Sequence, residues 1–211
     1  MSTKLIWITP DAEKLLGYIA RVSNPQNQDN EDVEGLLRYM VKHQHWSPFE
    51  MASAVFEIET TRDIARQILR HRSFSFQEFS QRYADVFLLP AAQLRECRLQ
   101  DTRNRQNSLT TDDQDKHDQW AQLQAIVSDV ALAAYQQALK VGVAKEQARA
   151  VLPEGLTPSR LYMSGTIRSW MHYCQLRTQP ETQKEHRVIA QSISDELALQ
   201  VPEVWSALEQ P

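Results

Sequence analysis

Residues 70–83 of the chain are RHRSFSFQEFSQRY, and this stretch decides what fold and site to expect. A helical pattern leads into it, with an N-cap at Thr60 or Thr61, and is predicted to run to about Arg72. Three arginines recur at every fourth residue on one face of that predicted helix: Arg62, Arg66 and Arg70. Guanidinium groups followed by serine hydroxyls and glutamine amides are the donors that a phosphate monoester prefers.

The same stretch is rich in aromatic side chains, at Phe74, Phe76, Phe79 and Tyr83. The chain as a whole carries 23 Lys and Arg against 27 Asp and Glu, a formal net charge of -4. A local excess of cations beside stacking surfaces therefore predicts a nucleotide phosphate site. Two other interpretations stay open: a solvated basic helix face, and Ser80 as a nucleophile with His71 as its base.

The spacing Arg70-His71-Arg72, then seven residues, then Ser80 resembles the RHR-x7-S signature of the flavin-dependent thymidylate synthases, the ThyX family. Glu78, Arg82 and Tyr83 also stand where that family has them. The resemblance covers most of the chain and is weakest over 91–116.

The order of predicted elements indicates an α+β fold. Strands are predicted near 4–9, 52–60 and 158–166; helices near 11–22, 31–43, 61–72, 117–141, in a short segment ending at Pro153, and near 168–177 and 181–200. The family resemblance implies a small mixed or antiparallel sheet packed with long helices. With 211 residues we expect a single domain over 1–211, with 91–118 as a surface excursion.

Composition excludes several classes of protein. The net charge of -4 disfavours general binding to nucleic acid or to membrane surfaces. No targeting segment or apolar span is evident, and two cysteines cannot form a disulfide framework, so we expect a cytoplasmic protein. The five glycines form neither a G-x-G-x-x-G turn nor a P-loop.

Residues 43–50, HQHWSPFE, resemble a stretch that contacts FAD in the family. The resemblance implies that Ser47 is a flavin ligand, that His45 lies close to the flavin and that Glu50 supports the turn. A metal site is the alternative for two histidines two residues apart, but known metal motifs place them differently. No metal is expected.

Residues 164–177, SGTIRSWMHYCQLR, place Arg168 and His172 four residues apart on one helix face. The resemblance implies that both contact the flavin and that Arg177 holds the pyrimidine ring. Thr166 stands where many family members have asparagine. Neither Cys174 nor Cys97 has an obvious activating neighbourhood, which agrees with chemistry that needs no thiolate.

The family resemblance implies conversion of dUMP to dTMP with methylenetetrahydrofolate as carbon donor and NADPH as reductant through FAD. On this resemblance, the expected catalytic residue is Arg177. The implied cofactor ligands are Ser47, Arg70, His71, Arg72, Glu78, Arg168 and His172. The implied substrate ligands are Gln67, Arg70, Glu78, Ser80, Gln81, Arg82, Arg149 and Arg177. The family also implies a homotetramer whose sites lie between subunits, with Arg149 supplied by a neighbour.

Three other functions stay open from the residues alone. A protein of this fold could bind nucleotides without catalysis. The arginine helix could belong to a nucleic-acid-binding module, although the net charge disfavours it. A metal hydrolase would use His43, His45 and His71.

Overall fold

The structure is a computed structural model in which residues 1–209 are described. The strands are β1 (Ser2–Ile8), β2 (Ser53–Thr61), β3 (Ser75–Glu78), β4 (Arg98–Gln100), β5 (Ser108–Thr110) and β6 (Pro158–Thr166). The helices are α1 (Ala12–Ala20), α2 (Glu34–Lys42), α3 (Arg62–Ile68), α4 (Gln114–Lys140), α5 (Lys145–Ala148), α6 (Ile167–Arg177), α7 (Lys184–Gln200) and α8 (Pro202–Glu209). No helix in this part of the chain is both long and apolar enough to cross a membrane.

A four-stranded sheet has the strand order β1-β2-β6-β3, and β4 and β5 form a separate antiparallel pair. Helices and a small sheet in one chain confirm the predicted α+β class. The contacts divide the chain into two compact units. Unit 1 comprises Met1, Glu59–Leu69 and Glu78–Leu161, and unit 2 comprises Ser2–Ile58, Arg70–Gln77 and the chain from Tyr162 onward.

In unit 2 the core forms around the alternating strand β2 and helix α6. Ala54, Phe56 and Ile58 are buried as the period-two pattern predicts. Trp170 of α6 is fully buried, donates from Nε1 to the carbonyl of Ala54 at 3.1 Å, and meets Phe56 edge-on. The indole thus packs its rings while its one donor is satisfied.

The end of β6 passes so close to Phe74 that only glycine fits there. A Cβ at Gly165 would lie 2.4 Å from the Phe74 ring. Phe74 itself is buried and packs edge-on against Trp170, with ring centroids 4.6 Å apart. The sequence-based interpretation of Phe74 as a stacking surface for a nucleotide is therefore wrong, because the ring belongs to the core.

Unit 1 is organised by the long helix α4. Asp113 caps its start by accepting from the backbone N–H of Lys116 at 3.2 Å. Tyr135 of α4 is fully buried with Val86 and Ala148, and four partly buried side chains pack on them: Leu132, Ala138, Leu139 and Leu152.

The segment 91–118 also belongs to unit 1, and it contains the β4–β5 pair, in which Leu99 faces Leu109. Its start is anchored by Arg95. The guanidinium of Arg95 donates to both carboxylate oxygens of Asp63 at 2.8 Å, and Gln124 brackets the Arg95 backbone with two hydrogen bonds.

Three element predictions need correction. Helix α3 ends at Ile68 instead of running to Arg72, so Arg70 lies beyond the helix. Residues 75–78 form the strand β3, where no strand was predicted, and a helix, α8, follows α7. Pro202 explains the last difference, because proline lacks the N–H that would continue α7 and suits the first turn of a new helix.

Candidate functional site

Unit 2 contains a cavity of about 500 Å³ beside the first turns of α6. Two of the predicted cofactor ligands, Arg168 and His172, line it from one face of that helix. The other lining residues are Trp46, Glu50, Ser73, Ser169, Met171 and Gln175. Trp46 and Ser73 are the sequence neighbours of the predicted ligands Ser47 and Arg72, so the cavity draws on all three predicted cofactor segments.

Glu50 holds Arg168, one of the residues that line this cavity. Its carboxylate accepts from Arg168 Nη1 at 2.7 Å and from the Thr166 hydroxyl at 2.8 Å. Partial burial by itself would raise the pKa of Glu50, but the hydrogen bonds from Arg168 and Thr166 bring it below its ordinary value. Glu50 is therefore a carboxylate at neutral pH, and Arg168 is kept oriented by it.

Thr166 has a structural use in this chain. Its hydroxyl accepts from the backbone N–H of Ser169 at 3.3 Å, which makes Thr166 the N-cap of α6, and it donates to Glu50. The short hydroxyl thus joins the start of the helix to the carboxylate that orients Arg168.

Arg177 and His71 are in direct contact. Arg177 Nε donates to His71 Nε2 at 2.9 Å. Because a guanidinium has only donors, His71 Nε2 must carry no proton, and the imidazole is the neutral form protonated on Nδ1. Burial, and then the neighbouring Arg177 and His172, lower the pKa of His71 to about 4.

The remaining predicted cofactor ligands of unit 2 are exposed, as Arg168 and His172 are. Arg70 and Arg72 lie in the turn between α3 and β3, and Ser47 begins the short 3-10 helix Ser47–Glu50. Pro48 is the second residue of this 3-10 helix, where the fixed φ of proline favours the helical backbone.

Glu78, predicted to contact both cofactor and substrate, belongs to unit 1 and has partners within the protein. Its carboxylate accepts from the Ser159 hydroxyl at 2.7 Å and lies 3.6 Å from Arg62 Nη1. Arg66 is also paired, with Glu154 at 2.5 Å. Arg62 and Arg66 of α3 are thus each paired with an acid, and the partner of Arg66 is too distant in the sequence for the local pattern to reveal it.

The predicted phosphate ligands lie in unit 1: Gln67, Ser80, Gln81, Arg82 and Arg149. Ser80 is exposed, while Gln81 is 3% exposed and its buried Nε2 has no hydrogen-bond acceptor among the described residues. Arg82 lies 3.7 Å from Glu146, and both side chains are exposed. The ion pair is therefore weak. Arg149 follows α5 directly as its C-cap.

Several cavity residues were not selected from the sequence. Trp46 lies inside the HQHWSPFE motif, so proximity to Ser47 is a signal that could have found it. Gln175 follows His172 by three residues on α6, which is also a readable spacing. Outside the cavity lining, Tyr173 and His186 carry no such signal, because only the packing of α6 on α7 brings them together.

Cys174 does not have the surroundings of a nucleophile. Cys174 is buried, and its thiol lies 3.9 Å from the carbonyl of Ala190. Burial raises the pKa of this thiol to about 12, so almost none of it is thiolate at neutral pH.

His43 and His45 pack with Tyr39 as a group of rings instead of converging on one point. Among the residues that the structure describes, no set of three or more His, Cys, Asp or Glu side chains is placed to hold a metal ion.

The donor set of unit 2 suits FAD, the cofactor that the resemblance implies. FAD presents a pyrophosphate and flat rings. The guanidinium of Arg168 and the imidazole of His172 are donors for phosphate oxygens, and the indole of Trp46 offers a stacking surface. A volume of about 500 Å³ is also in the range of small-molecule sites, roughly 300–1,000 Å³.

Known relatives share both the sequence and the fold. The chain is 46% identical over 217 residues to a protein of Paramecium bursaria Chlorella virus 1 named "Probable flavin-dependent thymidylate synthase", with 99% of each chain covered. It is 47% identical over 197 residues to the flavin-dependent thymidylate synthase of Synechocystis sp., covering 93% of this chain and 89% of the relative.

A crystal structure of a UMP/dUMP methylase, PolB from Streptomyces cacaoi, bound with 5-Br dUMP, is similar with a TM-score of 0.85 at 27% identity. The match covers 99% of this chain and 94% of that one. A family model described as "Thymidylate synthase complementing protein" matches residues 4–203. These matches confirm the resemblance inferred from the RHR-x7-S spacing, and the chain belongs to the family of flavin-dependent thymidylate synthases.

Proposed function

We propose that this enzyme makes dTMP by reductive methylation of dUMP, with methylenetetrahydrofolate as the carbon donor, NADPH as the reductant and FAD as the cofactor. The observation that carries the proposal is the cavity of unit 2, where Arg168 is held by Glu50 beside His172 in a chain of this family. When bound, FAD supplies the transfer of two electrons from NADPH.

The proposed cofactor ligands are Ser47, Arg70, His71, Arg72, Glu78, Arg168 and His172. Arg168 illustrates how the chain prepares for such a ligand. Glu50 accepts a hydrogen bond from Nη1 of Arg168, and the planar fork presents further N–H groups for phosphate oxygens. A side chain that is already oriented loses less conformational entropy on binding.

The proposed substrate ligands are Gln67, Arg70, Glu78, Ser80, Gln81, Arg82, Arg149 and Arg177. Arg177 is assigned to the uracil ring, where its charge favours negative charge developing on the imide and so makes the ring carbon nucleophilic. His71 holds Nε of Arg177, which leaves the two Nη groups to face a ligand. The buried Nε2 of Gln81 is a donor for which a bound phosphate would provide an acceptor.

The chemistry is proposed to proceed without a cysteine adduct on the uracil ring. Two facts support this. The thiol of Cys174 is buried with its pKa raised to about 12, and Cys97 lies in the 91–118 segment, outside the predicted site residues. A thiol that does not ionise cannot add to the uracil ring at a useful rate.

We also propose the homotetramer that the family resemblance implies, with Arg149 completing the site of a neighbouring subunit. Helix α4 supports an assembly, because it exposes large apolar side chains along much of its length: Trp120, Leu123, Ile126, Val127 and Val130. Contiguous apolar surface of this kind is typical of protein interfaces. A stable, fully active monomer in size-exclusion chromatography with light scattering would contradict the assembly.

An anaerobic assay tests the proposed reaction in stages. Protein loaded with FAD is mixed with NADPH, with and without dUMP, and bleaching of the flavin absorbance is followed. Methylenetetrahydrofolate is then added and dTMP is measured by chromatography. We expect bleaching, followed by reoxidation and dTMP formation only when dUMP and the folate are both present.

Two outcomes would contradict the proposal. Protein that takes up no flavin on reconstitution would indicate a nucleotide-binding protein without catalysis. Flavin that is bleached and reoxidised without dTMP formation would exclude the proposed carbon transfer.

A further inference from the structure

Tyr173 and His186 form a buried polar pair in unit 2 that none of the assignments above uses. The Tyr173 hydroxyl lies 3.0 Å from His186 Nε2, and both side chains are completely buried. Tyr173 belongs to α6 and His186 to α7. Apolar side chains of similar size would fill this space without the cost of removing two polar groups from water, so the pair calls for an explanation beyond packing.

The pair lies directly against His71. The Tyr173 and His71 rings meet edge-on, with centroids 4.9 Å apart at 78°, and the His186 and His71 rings meet at 6.2 Å and 87°. The third ring in contact is Phe74, at 6.4 Å and 86°. His71 is therefore fixed by edge contacts on several sides, and its Nε2 remains directed at Arg177.

The helix geometry ties the same pair to Arg177. Tyr173 and Arg177 are four residues apart on α6, which places them on one face of that helix. The hydrogen bond to His186 fastens this face to α7. A shift of Tyr173 would move the His71 ring and the start of the Arg177 side chain together.

The charge states agree with a fixed, neutral arrangement. Burial, followed by the positive charge of Arg177 and the neighbouring His71, lowers the pKa of His186 to about 3. Burial raises the pKa of the Tyr173 hydroxyl. Both groups are uncharged at neutral pH.

We propose that Tyr173 and His186 are positioning residues that hold the His71 ring so that its Nε2 accepts from Arg177, and thereby aim the Arg177 guanidinium at its ligand. The inference rests on the proposed function, because that ligand is taken to be the uracil ring of dUMP. The inference predicts that the Tyr173 hydroxyl and His186 Nε2 affect the affinity for dUMP without contacting the nucleotide.

Binding of dUMP to the full-length, FAD-loaded protein tests this directly, with quenching of protein fluorescence as the readout. We expect Tyr173→Phe and His186→Leu each to weaken dUMP binding about five- to tenfold, the equivalent of one lost hydrogen bond. We expect His186→Gln to stay within about threefold of wild type, because its amide can still bond to the Tyr173 hydroxyl. The double variant Tyr173→Phe/His186→Leu should be no weaker than His186→Leu, since both changes remove the same bond.

Tyr135→Phe is the matched control, because it removes a hydroxyl from another fully buried tyrosine, in unit 1. Thermal unfolding of every variant is recorded beside binding. If His186→Leu does not fold, Tyr173→Phe, which keeps the ring, decides the question.

Wild-type affinity in Tyr173→Phe and His186→Leu, with only their unfolding temperatures lowered, would overturn the proposal in favour of a purely structural pair. Equal losses in His186→Gln and His186→Leu would overturn it too. Failure of the wild-type protein to bind dUMP is a separate result, which would overturn the proposed function and this inference with it.

Discussion

Single side chains at the candidate site are held in place by neighbours within the protein. Glu50 orients Arg168 with a contact of 2.7 Å, and His71 orients Arg177 with one of 2.9 Å. The two holders differ in charge. A carboxylate partly neutralises its arginine, whereas a neutral imidazole leaves the full positive charge of Arg177 available to a ligand.

That difference makes Arg177 the residue whose loss we expect to matter most for the reaction. Arg177→Ala should lower the rate of dTMP formation at least about 100-fold, because charge stabilisation at the uracil ring is lost, while FAD remains bound. The rate is measured by chromatography and bound FAD by absorbance. Arg38→Ala, which breaks an exposed pair with Glu34, is the control. Near-normal turnover in Arg177→Ala would disprove the assignment.

Replacing Ser80 by alanine tests whether this residue is a phosphate ligand or a nucleophile. Ser80→Ala should weaken dUMP binding about ten- to hundredfold, the cost of a hydrogen bond to a charged group, and turnover should recover at saturating dUMP. Equilibrium titration and steady-state kinetics measure the two quantities, with the exposed Ser108→Ala as control. Loss of turnover with unchanged dUMP affinity would instead favour a nucleophilic serine.

At the scale of elements, the junction of β6 and α6 brings backbone and core into close contact. Gly165→Ala should lower the free energy of unfolding by about 1–3 kcal/mol, because the new Cβ would lie 2.4 Å from the buried Phe74 ring. Gly35→Ala is the matched control, since a Cβ there meets no atom within 4 Å and alanine favours helix α2. Urea unfolding measures both. Equal stability of the two variants would show that the Phe74 ring can move to accommodate the new Cβ.

The anchoring of the 91–118 segment is a second property of elements. Asp63→Ala should lower the free energy of unfolding by about 2–3 kcal/mol. The Arg95 side chain, which is 13% exposed, would lose the carboxylate that pairs with it. Glu154→Ala breaks the Arg66 pair, where both side chains are at least half exposed, and should cost about 1 kcal/mol or less. Comparison of the two unfolding curves tests the difference. An equally small loss of stability in both variants would mean that water replaces the Asp63 carboxylate as the partner of Arg95.

At the scale of the whole molecule, the buried His186 and the half-buried His71 make stability depend on pH. In the folded protein the pKa values of His71 and His186 are about 4 and about 3, below the ordinary 6.5. Below about pH 6.5 the unfolded chain binds protons that the folded one does not, so the free energy of unfolding falls as pH falls. Above that pH the contribution is complete.

We expect a loss on the order of 1 kcal/mol per pH unit between pH 6.5 and pH 5, measured by urea unfolding. His186→Gln removes one of the two titrating groups and should reduce the slope. A wild-type stability that does not change between pH 8 and pH 5 would contradict burial of the neutral imidazoles.

The sequence by itself determined the family, the α+β class and most of the elements, because these depend on local spacing. Each of three patterns occupies only a short stretch of the chain: RHR-x7-S, the alternation of Ala54, Phe56 and Ile58, and the i, i+4 pair on α6. Local patterns also limited the prediction, since they extended α3 too far and took Phe74 for a ligand surface.

Only the tertiary structure decided which groups meet. Glu154 pairs with Arg66, 88 residues away in the sequence, and Arg177 donates to His71, 106 residues away. It also placed Tyr173 on His186 and buried both without charge. The physical reason is that burial and distant partners set hydrogen bonding and pKa values, and neither can be read from residue types along the chain.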